Sequence, residues 1–189
     1  MRLAALLLPL LSLALLSAPL RAEEGKLVEN PTYKEWAKFK VGALAKYEMS
    51  GEAMGGQKMV MTQKLVELTD TKAVILTSMA MDMGGQVMEM PGQKREELKM
   101  VPEGTMPAGM PKSMEKPEIS EGSGSLTTPA GTFDCKWVET KGKTDEGAFV
   151  VKVWQSADVP GGMVMMESST TVAGQQMKTA MKLIEVSKG

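Results

Sequence analysis

The stretch "AVILTSMAMDMGGQVMEM", residues 73–90, decides the fold class. Its side chains divide strictly by parity. Ala73, Ile75, Thr77, Met79, Met81 and Met83 fall on one side, and Val74, Leu76, Ser78, Ala80 and Asp82 on the other. A repeat of two is the period of a β-strand, whose successive side chains point to opposite faces. Gly84-Gly85 follows, and consecutive glycines between alternating runs favour a tight hairpin because both tolerate positive φ. On the return strand, Met88 and Met90 can rejoin the face of Met79, Met81 and Met83.

The same grammar extends outward. "ALAKYEMSGEAM" leads through Gly55-Gly56 to "QKMVMTQKLVEL", which places Met59 and Met61 on a neighbouring strand, and "TDTK" turns the chain into the stretch above. Further along, "PAG" leads into "TFDCKWVET", "KGKTDEG" into "AFVVKVWQS", and "ADVPGG" into "MVMMESSTTV". Ala173-Gly174 then opens "QQMKTAMKLIEV". The pattern predicts a mostly β fold: an antiparallel meander of eight to ten strands forming a curved half-barrel sheet. "GQKMVMTQKLVEL" (56–68) and "GQQMKTAMKLIEV" (174–186) agree at six of thirteen positions, which suggests either a duplicated hairpin strand or convergent composition.

One segment before the meander has a different period. In "NPTYKEWAKFKVG", Tyr33, Trp36 and Phe39 recur every three residues; Asn30 suits an N-cap, Pro31 the first helical position and Gly42 a stop. One short helix is expected over about 31–39, its aromatic stripe docked on the sheet. "MVPEGTMPAGMPKSMEKPE" (100–118) carries four prolines, a density that excludes a central strand or a long helix, so a loop is expected there. "EGSGS" (121–125) adds flexibility or begins an edge strand.

The N-terminus reads as an export signal. Arg2 precedes an apolar run from Leu3 to Leu16, then "SAPLRAEEGK", with cleavage expected after Ala22. The run is too short for a membrane span of about 20 residues. The expected organisation is a signal peptide over 1–22 and a single β-rich domain over 23–189, exported to the periplasm or beyond. Without Arg2 and Arg21 the chain holds 20 basic and 23 acidic side chains, a net charge of −3 that argues against nucleic acid as a partner.

The chain has no histidine and one cysteine, Cys135. That removes His-based metal sites, the Ser-His-Asp triad and an internal disulfide. Alternation places Cys135 with Phe133 and Trp137, as a buried and inert thiol. Glu48, Glu89, Glu139 and Glu167 read as solvent-facing strand residues, and Asp158 as a structural acceptor in its turn. No acid–base pair or activated nucleophile can be named, so a non-catalytic protein without a cofactor is expected.

Eighteen of the nineteen methionines lie beyond the leader, and three readings of them stay open. They can form the core, since methionine is apolar and fills irregular gaps. They can line a pocket for a hydrophobic small molecule or lipid, with Met59, Met61, Met79, Met81, Met83, Met88 and Met90 as the lining. They can hold Cu(I), which selects soft thioethers, with Met79, Met81, Met83 and the loop residues Met106, Met110 and Met114 as ligands. The oligomeric state stays open.

"TTPAGTFDCKWVE" (127–139) and "VKVWQSADVPGGMVMME" (151–167) together resemble segments of small exported bacterial β-proteins. These look like the periplasmic lipoprotein-carrier superfamily, whose fold is a curved, incompletely closed antiparallel sheet covered by a helix. The resemblance implies a hydrophobic, often acylated, ligand on the concave face and 100–118 as a lid. The superfamily's arginine-dependent features have no match, so it does not carry over the cargo's identity.

Overall fold

A computed structural model describes residues 26–54, 57–82, 86–103, 117–144, 147–172 and 175–189. The main element is a nine-stranded sheet with spatial order β5-β4-β3-β2-β11-β10-β9-β8-β7. Its strands are β2 (Leu44–Gly51), β3 (Met59–Leu68), β4 (Lys72–Asp82), β5 (Val87–Leu98), β7 (Glu118–Thr128), β8 (Gly131–Thr144), β9 (Gly147–Gln155), β10 (Met163–Val172) and β11 (Gln175–Ser187). Every pairing in it is antiparallel, and the sheet is not closed into a barrel. Two three-residue strands, β1 (Leu27–Glu29) and β6 (Met100–Pro102), form a separate antiparallel pair.

The sheet curls. β7 and β11 are four strand positions apart, which would be about 19 Å in a flat sheet, yet their Cα atoms come within 8 Å. Leu126 of β7 and Phe133 and Cys135 of β8 join one apolar cluster with Tyr47, Met61, Leu183 and Val164. The face that carries Tyr47, Leu183 and Leu65, on which the N-terminal helix packs, is the inner face of the sheet. A bulge between Met163 and Met165 supplies local twist where the sheet turns.

The helix α1 (Pro31–Trp36) is shorter than the aromatic spacing suggests, but its logic holds. Asn30 caps it, its side chain accepting a hydrogen bond from the Thr32 N–H at 2.9 Å, and Pro31 opens it. Phe39 lies past the helix in a turn and is still buried with Tyr33 and Trp36 against Ala43, Leu65, Ala73 and Ile75. The Tyr33 hydroxyl donates to the Thr69 carbonyl at 2.8 Å, and the Asn30 amide donates to Glu97 of β5 at 3.0 Å. The helix thus covers one end of the inner face and leaves the rest of it to the methionines.

The segment 100–118 departs from a loop at both ends. Met100–Pro102 is β6, with Pro102 at the strand's end where its missing N–H is tolerated, and Glu118 begins β7. "EGSGS" lies inside β7, at the sheet's edge. Residues 1–25, where the leader is expected, residues 104–116, and the turns expected at 55–56, 84–85 and 173–174 lie outside the described residues. The two echoing segments become β3 and β11, which flank β2 on either side. Their aligned residues Leu65 and Leu183 are both fully buried.

Candidate functional site: a methionine band on the inner face

Directly opposed residues in a sheet share a face and stand about 4.5–5.5 Å apart. The register therefore strings the methionines into rows. One row runs Met88–Met81–Met59–Met49–Met181–Met166 across six strands and continues into Val153 and Val138. The next row toward the helix runs Met90–Met79–Met61–Tyr47–Leu183. Both rows lie on the face of Ile75 and Leu65, which α1 covers at its other end.

Exposure is graded along this band. Met61 and Met181 are buried in the core, and Met49, Met59, Met79, Met81 and Met166 are half-buried. Met90 is 36% exposed and Met88 57%. The band is thus core at its centre and open toward the edge strand β5. Of the seven lining residues expected from the sequence, six are brought onto one face: Met59, Met61, Met79, Met81, Met88 and Met90. Met83 lies outside the described residues, as do Met106, Met110 and Met114 of the expected copper set. Met61 is packed too deeply to present a free surface. Met49, Met166 and Met181 belong to the band and were not among the expected lining. Met49 alternates with Tyr47, which was a usable signal; the pairing partners of Met166 and Met181 cannot be read from spacing.

At the centre of the band, the Tyr47 hydroxyl donates to the Met163 carbonyl at 3.0 Å. Burial holds that hydroxyl's pKa well above the usual tyrosine range. Cys135 is buried, its thiol set toward the Phe133 carbonyl at 3.5 Å. Burial, and then the charge of Asp134, raise the thiol's pKa, which fits the inert role expected of it. The turn before β10 is held by a different side chain than expected: the Ser156 hydroxyl accepts from the Asp158 N–H, while Asp158 pairs with Lys188 at 2.9 Å. Asp158 is exposed, so it is free to take a surface lysine instead.

The opposite face has another chemistry. Lys152 lies between Glu139 and Glu167 in the register and stands 4.0 Å over the Trp137 ring. A groove of about 520 Å³ on this side is lined by Glu139, Lys152, Glu167 and Lys178 among others. A second, of about 730 Å³, lies between α1 and the β7–β9 end, with Glu35, Lys38, Cys135 and Lys136 in its wall. Neither groove has a methionine in its lining, so the band is a surface of the curl and not the wall of either groove. Among the described residues no three His, Cys, Asp or Glu side chains gather as a metal site, and no helix is long and apolar enough to cross a membrane.

Among solved structures, the chain is similar to a lipoprotein candidate from Parabacteroides distasonis ATCC 8503, with TM-score 0.48 and 14% identity over 78% of this chain and 96% of that one. It is also similar to a candidate exported protein with a YmcC-like fold from Bacteroides fragilis NCTC 9343, with TM-score 0.47 and 13% identity over 79% of this chain and 97% of that one. No protein-family model matches the chain, and no curated protein matches it.

Proposed function

We propose that this is an exported, non-catalytic protein of the cell envelope that holds an apolar ligand, of the acyl-chain kind, against its methionine band. The observation that carries the reading is the unbroken row from Met88 to Met166 on the inner face of a curled sheet, part of it left uncovered by the helix. Unbranched thioether side chains repack around varied apolar shapes more readily than branched ones. Removal of ligand and methionine surface from water supplies the affinity, at about 25 cal/mol per Å² before the cost of association. The leader read over 1–22 supports export, and the resemblance to lipoprotein carriers, which hold cargo on one face of a curved sheet, supports a sheet-face site.

The test is titration of the mature protein with an environment-sensitive fluorescent fatty acid. Saturable enhancement is expected, weakened at least tenfold by the half-buried pair Met59→Glu with Met81→Glu, whose folding is checked by circular dichroism. No saturable enhancement, or enhancement indifferent to that folded variant, contradicts the reading.

A further inference from the structure

The outer corner of the band has an arrangement that an apolar ligand does not require. Met79 faces Met90 and Met81 faces Met88, all on one face of the β4–β5 hairpin. Their backbone positions thus form a rectangle about 5 Å across the strands and about 7 Å along them, each corner bearing a thioether side chain. Each hangs on three rotatable bonds, so its sulfur can swing inward. Met88 and Met90 are exposed, which gives an entering ion a path. Met59 backs Met81 on β3 and is half-buried, so a fifth sulfur stands behind the first four.

We infer that this four-methionine corner is a site for a soft monovalent cation, Cu(I) in the cell envelope. Soft thioether donors select Cu(I) over the hard and borderline divalent ions. Four neutral sulfurs leave the site's charge to the metal alone, which suits a monovalent ion better than a divalent one. The ligand set lies within one hairpin. It shares Met79 and Met81 with the set expected from the sequence and replaces Met83 and the loop methionines with Met88 and Met90.

The experiment uses the full mature chain with methyl-¹³C methionine. Ag(I), a redox-inert probe of the same coordination chemistry, and Cu(I) under ascorbate are each titrated and followed by native mass spectrometry and methyl NMR. One tightly bound ion per chain is expected, with the largest methyl shifts at Met79, Met81, Met88 and Met90. The exposed pair Met88→Leu with Met90→Leu is expected to lower the affinity at least tenfold with an unchanged circular dichroism spectrum. Absence of uptake, uptake unaltered in that variant, or shifts confined to other methionines overturns the inference. The readout is ion uptake, which the acyl-ligand reading does not predict, so the failure of one leaves the other standing.

Discussion

Gly161 lies flat against the indole of Trp36: a Cβ at position 161 would stand 3.0 Å from two of the ring's carbons. The glycine also has φ +78°, in the left-handed region that side chains disfavour. Two separate demands therefore fall on one residue, a backbone conformation and a close approach. Between them they lock the turn before β10, where Val159 and Pro160 are fully buried, onto the helix that caps the inner face. Gly161→Ala is expected to destabilise the protein by about 1–3 kcal/mol, read as a lower urea midpoint with unchanged slope. An unchanged midpoint would mean that the turn does not depend on this contact.

The hydroxyl of Tyr47 makes the second prediction. Tyr47→Phe removes its bond to the Met163 carbonyl and leaves that carbonyl short of a partner, an expected loss of about 0.5–1.5 kcal/mol. The pH dependence follows from burial, which raises the folded pKa above the unfolded value of about 10. The folded state then holds the proton more tightly than the unfolded state. The contribution is complete below about pH 10 and is lost as pH rises from there toward the folded value. Denaturation midpoints measured between pH 8 and 11 should fall more steeply for the wild type than for Tyr47→Phe. Parallel curves would contradict this.

Much of this architecture is legible in the sequence, for a physical reason. Strict alternation in 73–83 has a single regular backbone that satisfies it, and Asn30-Pro31 with a three-residue aromatic spacing likewise points to a helix start. Phe39 is buried as its spacing implies even though the helix ends at Trp36, because the following turn keeps it on the same side. The β1–β6 pair was not legible: three residues are too few to show a period, and β6 stands at the margin of a proline-rich stretch. Register is the larger gap. Alternation says which residues share a face of one strand, but not that Met49 faces Met59 and Met181 on its two sides. That placement needs the strand order, and β2 pairs with β11 from the far end of the chain. The methionine rows therefore emerge only with the fold.

Cys135 supplies a third prediction. The native thiol should not react with an aromatic disulfide reagent near pH 8, because it is buried and its pKa is raised. Denaturant should expose one reactive thiol per chain. Immediate reaction of the folded protein would show that the β7–β9 end opens readily and that its apolar cluster is looser than described.

The central claim is that the methionine band carries an apolar ligand, and native mass spectrometry of the mature protein tests it most directly. The protein is purified without detergent from its own envelope and sprayed intact. The account predicts a population heavier than the apo chain by an organic adduct, which is lost on denaturation and depleted in Met59→Glu with Met81→Glu. A clean apo mass from freshly prepared envelope, with no adduct after incubation with fatty acids, would contradict it and leave the band as a core written in methionine.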